Sequence, residues 1–388
     1  MTTKKGSDNG SLDYRFISTD DHIIEPSDVW KDRLEARYRD AAPHLVEENQ
    51  TEYWQFEDQR VPNSGLSVMA GKRFEDYSPK AVRYADMRPG CYDPQARLAD
   101  MDADGIEAEV CFPTVPGMAG TLFANAKDQA LALRCLQAYN DWLADTWCAT
   151  DRRRLIGQVI VPLWDVQRAA AELERGVRLG LKALSFPNAP ETLGLPGLAD
   201  PHWDPLWDAV EAAGVPVSLH IASGALRGSL PLDPGAGAPA EVFITVAPTT
   251  NFTVIATLLF SGVLEKHPRL RFLSVEGGIG WLPYLIQRAD ETFHKHRHWT
   301  NPRISQPPSV YFRRQIFANF LDDPVGVDCR HRIGIDNLMF ETDYPHSDTT
   351  FPRSREVAAR VFHNVAADEA RKMLRDNAIR FFGLEAQA

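Results

Sequence analysis

Six side chains able to hold a cation or move a proton stand where apolar runs of this chain stop. YRFIST (14–19) gives way to Asp20-Asp21-His22, and VPVSLHI (215–221) presents His220. LRFLSVE (270–276) ends in Glu276, and NLMFETD (337–343) ends in Asp343. Side chains alternate along an extended chain, so Asp20 and His22 share one face while Asp21 takes the other. Imidazole nitrogen and carboxylate oxygen are donors that suit Zn²⁺, Mn²⁺ or Fe²⁺. A lone histidine at a strand end is usually a hydrogen-bonded structural residue, so the weight lies in the combination. Carboxylates crowded into a dry pocket repel one another unless a cation compensates. The pattern predicts one divalent metal ion, zinc ahead of manganese or iron, on Asp20, His22, His220 and Asp343. Asp343 and Glu276 are the candidates for proton transfer.

Something must bring these strand ends together. The runs at 14–19, 106–113, 155–163, 182–187, 215–221, 270–276, 314–320 and 337–343 are short and almost continuously apolar, as strands buried on both faces are. Between them lie stretches with three- and four-residue apolar spacing. One is DVQRAAAELERGVRLG, which opens on an Asp cap and closes on Gly. Eight such units predict a (β/α)8 TIM barrel, whose chemistry sits at the C-terminal ends of its strands. A doubly wound open sheet shows the same alternation, but no glycine-rich phosphate loop follows the first strand. Residues 1–13 read as a disordered N-terminus and 14–388 as a single metal-dependent barrel domain. Two insertions interrupt it, about 31–100 after the first strand and 224–243 after the fifth; long loops at strand ends commonly form lids and substrate walls. DEARKMLRDNAIRFFGL (368–384) reads as a C-terminal amphipathic helix packed on the barrel exterior.

The net charge of −11 argues against a nucleic-acid partner. The N-terminus lacks the apolar segment of a secretory signal, and no run of about 18 apolar residues suggests a membrane span. Five scattered cysteines without a CxxC pair read as reduced thiols, which predicts a cytoplasmic protein acting on a small molecule.

Further candidates have two readings each. His346 faces the pocket or bonds within its turn. Trp281, after Gly277-Gly278, stacks on a flat substrate or packs its helix. Asn188, at the end of the fourth strand, is a polar pocket contact or a structural one. Glu25 anchors its loop or touches substrate, with the anchor favoured. In HKHRH (294–298) only His294 and His298 share a helix face, and a solvated helix end is the expectation.

TDDHIIEP, DPQARLADMDADGIEAEVCFP, SLHIAS, VEGGIGWLPYLIQRAD and ETDYPHSD together resemble the amidohydrolase-related family. This is the branch of the amidohydrolase superfamily with the 2-amino-3-carboxymuconate semialdehyde and γ-resorcylate decarboxylases. The resemblance implies a mononuclear metal on Asp20, His22, His220 and Asp343, and homodimers are common in such a family. The decarboxylases resemble one another in a histidine at the end of strand 6, where this chain has Glu276. That departure favours a hydrolase as the expectation: metal-activated water attacks a small, cyclic or aromatic carbonyl compound, with Asp343 or Glu276 taking the proton. The alternative is non-oxidative decarboxylation of an aromatic or muconate-type acid, with the same four ligands and Glu276 as the pivot.

Overall fold

The short apolar runs pair as expected of strands with both faces buried. In this computed structural model, residues 12–48, 51–224 and 239–385 are described. β1 (Phe16–Ile23) is followed by a small antiparallel sheet of β2 (His44–Glu48), β3 (Thr51–Phe56) and β4 (Gln59–Pro62). Then come β5 (Ile106–Pro113), β6 (Leu155–Val159), β7 (Ala183–Ser185), β8 (Val217–His220), β9 (Phe272–Val275), β10 (Ile316–Phe320) and β11 (Leu338–Phe340). β1 and β5 to β11 form one parallel sheet in sequence order, and every residue of these strands is buried. A parallel bridge from Asp21 to Tyr344 and a bond from Asp343 N to Asp20 O (2.9 Å) join its two edges. The result is a (β/α)8 barrel.

Two strands differ from their expected bounds in ways that matter. β1 continues to Ile23, because Ile23 and Ile24 resume the apolar run, so Asp20, Asp21 and His22 lie within it. Its register against β5 slips between Ser18 and Asp21, where three steps on β1 match two on β5. A bulge of this kind re-aims side chains. β11 stops at Phe340, and Asp343 beyond it has φ +51°, outside any strand conformation.

Helices cover the barrel. Val166–Arg178 starts where the Asp165 carboxylate accepts from the N–H groups of Gln167 and Arg168, and Pro94–Asp104 ends at Gly105 with φ +79°. Gly176 lies where Val166–Arg178 crosses β6: a methyl there would sit 2.5 Å from Cγ2 of fully buried Val159. Alanine normally improves a helix interior by about 1 kcal/mol over glycine. Here overpacking costs about 1–3 kcal/mol, so Gly176→Ala is expected to lower the melting temperature, as a thermal melt will read.

The C-terminal helix Asn377–Phe382 does not lie on the outer surface as expected. Phe381 and Phe382 pack in one cluster with Val110 and Phe112 of β5, and Phe381 meets Phe317, near the start of β10, at 4.5 Å. Its two aromatics close the N-terminal mouth of the barrel, in one cluster with Ile17, Ala108, Ile156, Ala183, Leu273 and Met339 of the strands. Ala240–Ser261 also departs from expectation: at 22 residues and mean hydropathy 1.7, it is long and apolar enough to cross a membrane. Ile255, Leu258 and Leu259 are fully buried against the barrel instead, and Asn251 donates to Leu219 O (3.1 Å) and Val275 O (3.2 Å), tying β8 to β9.

Residues 31–100 hold the antiparallel sheet and several single-turn helices. Trp54 meets Trp30 edge-on at 5.2 Å, and the N–H groups of Met69 and Ala70 both reach Pro345 O in the loop after β11. The expected N-terminal disorder and the 224–243 insertion fall largely outside the described residues.

Candidate metal and proton-transfer site

The polar strand ends converge. His22 Nε2 lies 3.4 Å from Asp20 Oδ1 and 3.5 Å from Asp343 Oδ1. His220 Nε2 lies 3.3 Å from Asp20 Oδ2, 3.1 Å from His22 Nε2 and 3.5 Å from Glu276 Oε2. His346 adds Nδ1 at 2.9 Å from Asp343 Oδ1, with its ring stacked on His22 at 3.7 Å. His220 Nδ1 is 2.6 Å from Ile221 O. That contact sets the tautomer: when the ring is neutral, the proton sits on Nδ1 and the Nε2 lone pair faces the cluster.

Divalent-cation binding can be tested on the orphaned atoms. Asp20, His22, His220 and Asp343 are fully buried, yet both carboxylate oxygens of Asp20 and of Asp343 have no hydrogen-bond partner among the described residues. Buried carboxylate oxygens without donors are costly, and two ring nitrogens aimed at the same point do not satisfy them. A cation accepted by all four side chains removes the cost, so the donor set fits one. Donor atoms of Asp20, His22 and His220, of His22, Asp343 and His346, and of Asp20, Glu276 and Asp343 each lie within 4.8 Å of one another.

The electrostatics follow from burial and crowding. Burial, then the charge of Asp343, pushes the Glu276 carboxyl well above the usual range; burial, then Asp20, does the same to Asp343. Burial opposes charge on Asp20, but His220 and His22 hold its carboxyl below the ordinary value. Burial works against a charged His220, and Asp20 outweighs it, lifting the imidazole to about 9. His22 is pushed down by burial and then by His346.

Backbone strain aims two of these groups. Glu276 (φ +55°) and Asp343 (φ +51°) are non-glycine residues in the left-handed region. Glu276 N donates to Asn319 Oδ1 at 2.9 Å, and Asp343 is held by its bond to Asp20 O. Glu276 keeps 16% of its side chain exposed, into a cavity of about 780 Å³ that Gly278, Asp348, Arg353 and Phe74 also line.

Asp21 explains the rest of the acid crowding on β1. It faces away from the cluster and accepts from Thr342 Oγ1 (2.5 Å) and Tyr344 N (2.8 Å), tying the first strand to the segment after the last. Fully buried Arg97 donates to His22 O (2.5 Å), Gly90 O (2.7 Å) and Glu109 Oε1 (2.8 Å), fixing the backbone that carries His22.

Two expected substrate contacts lie elsewhere. Asn188 donates to Asn251 Oδ1 (3.1 Å) and accepts from Gly224 N (3.0 Å), so its amide braces the loop after β8. It borders a different hollow from the one at Glu276. Trp281 donates to Gly277 O (2.7 Å) and packs on Phe252 at 5.4 Å, which steadies the glycine turn. Glu25 accepts from Thr114 N (3.1 Å) and Val115 N (2.8 Å), an anchor between two loops. His294 and His298 are exposed on the helix Leu282–Thr300.

Glu341 escaped the sequence reading. It is fully buried, Oε2 is 3.3 Å from Glu276 N, and Oε1 has no partner among the described residues. Burial and then Asp20 and Glu276 push its carboxyl well up. The available signal was alternation, since Glu341 stands two residues before Asp343 as Asp20 does before His22.

Comparison with known proteins places this geometry. A family model described as amidohydrolase matches residues 30–384. A gamma-resorcylate decarboxylase of Rhizobium sp. (strain MTP-10005) is 31% identical over 304 residues, 74% of this chain and 86% of that protein. The structure of an amidohydrolase from Mycobacterium avium subsp. paratuberculosis K-10 aligns with a TM-score of 0.77 at 24% identity, covering 96% of this chain and all of that one. A 5-carboxyvanillate decarboxylase from Novosphingobium aromaticivorans, solved with manganese and 4-hydroxy-3-methoxy-5-nitrobenzoic acid, aligns with a TM-score of 0.67 at 20% identity over 99% of this chain and 100% of that one. The decarboxylase match overturns the hydrolytic expectation. That expectation rested on Glu276 standing where decarboxylases carry histidine. A buried carboxyl that keeps its proton is a donor, as an imidazolium is, so the exchange does not favour hydrolysis. The chain belongs to the amidohydrolase family.

Proposed function

We propose that this protein is a metal-dependent, non-oxidative decarboxylase of an aromatic or muconate-type carboxylic acid. The observation that carries this reading is the 31% identity to a gamma-resorcylate decarboxylase across 74% of the chain. Asp20, His22, His220 and Asp343 would hold the metal, and two imidazoles with two carboxylates accept either zinc or manganese. When bound, the cation polarises substrate oxygens and stabilises the negative charge that builds on them.

The protein's own groups do the rest. Glu276 holds a proton on a carboxyl that faces the cavity, and hands it to the carbon bearing the departing carboxylate. The bond to that carboxylate then breaks, its electrons return to the ring or diene, and CO₂ leaves. Glu276 regains a proton from water through the open side of the cavity. His346, its ring stacked on His22 and its Nδ1 2.9 Å from Asp343 Oδ1, holds the His22 imidazole in place. Metal analysis of the purified protein identifies the ion. A panel of hydroxybenzoates and muconates is expected to yield CO₂ and the decarboxylated product in equal amounts. Metal-loaded protein that releases no CO₂ from any member overturns the reading.

A further inference from the structure

The cavity beside Glu276 is lined by a cation that pairs with no acid among the described residues. Arg353, in the loop after β11, lines it and sets its guanidinium carbon 5.5 Å from the ring centroid of Phe74. Phe74 comes from the 31–100 insertion and is 67% exposed. The other insertion aromatics lie differently: Trp54 and Phe56 are buried in the main core, against Trp30 and Phe123, and Phe74 is the one of that group that lines this cavity.

The chain carries 53 acids against 42 lysines and arginines, and four aspartates and glutamates besides Glu276 line the same cavity. Among the described residues Arg353 nonetheless forms no ion pair and no side-chain hydrogen bond. The nearby acids have other work. Asp322 pairs with Arg360, and Asp323 accepts from the N–H groups of Ile279, Gly280 and Gly326. Asp348 and Glu356 stay solvent-exposed at the rim. Arg353 is tethered by its own N–H to Thr350 O (2.7 Å), which leaves its donor fork open.

We propose that Arg353 and Phe74 form a distal substrate subsite: the phenyl ring receives a flat ring, and the guanidinium receives one anionic oxygen, carboxylate or phenolate, remote from the carboxylate that is lost. A planar guanidinium matches such an oxygen, and an aromatic face beneath it favours a flat ligand. Exposed Asp348 and Glu356, which form no ion pair among the described residues, disfavour a polyanion. This inference rests on the decarboxylase reading for the identity of the lost group.

The test uses metal-loaded full-length protein with benzoate, 3-hydroxybenzoate and isophthalate, binding being measured by calorimetry apart from turnover. Wild type is expected to bind isophthalate or 3-hydroxybenzoate more tightly than benzoate. Arg353→Ala should weaken the tighter ligand about 10- to 100-fold and leave benzoate unchanged, with partial recovery in Arg353→Lys. Whichever ligand responds identifies the oxygen that is read. Equal wild-type affinity for all three, or equal loss for all three in Arg353→Ala, overturns the subsite. Wild type that shows the arginine-dependent pattern but releases CO₂ from no acid sinks the decarboxylase reading and leaves the subsite standing.

Discussion

Stripped of divalent metal, the protein is expected to lose stability steeply as pH rises from 6.5 to 8.5, while the metal-loaded form stays nearly flat. Glu276, Glu341, Asp343 and Asp21 are all pushed above the usual carboxylate range, burial being the first cause in each. An acid whose folded-state pKa is raised keeps its proton in the fold after the unfolded chain has released it. Its contribution is therefore complete below the unfolded value and declines until the folded value is passed. Each retained proton is worth about 1.4 kcal/mol per pH unit over that interval. His220, raised to about 9, acts in the same direction: its contribution is full below the unfolded imidazole value and is lost as pH climbs through 9. Asp20 and His22 are shifted the other way, and their contributions no longer change above about pH 6.5. A bound cation takes the place of the protons among the clustered carboxylates, which flattens the profile. Thermal melts with and without chelator at several pH values read the difference directly. Parallel profiles for the two forms would mean that the clustered carboxylates do not share a cation.

That cluster was legible because a barrel has one active end. A polar residue after an apolar run therefore acquires a position as soon as the run is read as a barrel strand. Asp20, His22, His220, Glu276 and Asp343 needed only that rule and the alternation of side chains. Other features depend on contacts far apart in the chain. Asn188 is bonded to Asn251, 63 positions on. Arg97 gives no local sign that it reaches His22 O, 75 positions back. The bulge in β1 reflects its pairing with β5, and the closure of the lower mouth by Phe381 and Phe382 depends on which face of the barrel that helix meets. The reaction was misread for a chemical reason. A cation, a buried acid and a cavity serve hydrolysis and decarboxylation alike, and the choice between them lies in the substrate.

Glu276→Gln is expected to reduce CO₂ release by about 10²- to 10⁴-fold, the usual worth of a positioned acid or base, with metal content unchanged. Glutamine keeps the size of the side chain and its reach into the cavity, but has no proton to give. The backbone should tolerate the exchange, because Asn319 Oδ1 and Glu341 hold the Glu276 N–H, and that group remains. Glu276→His tests the role of the proton itself. The left-handed φ of +55° admits histidine more readily than a β-branched residue. An imidazolium beside Asp343 can also carry a proton, so this variant should recover part of the lost turnover. Its pH profile should fall as pH rises through the imidazole range, where the donor empties. Measuring kcat and metal per chain for both variants separates lost proton delivery from a damaged metal site. If Glu276→Gln keeps near wild-type kcat with full metal, the carbon receives its proton from elsewhere; His346, stacked on His22, is then the next group to substitute.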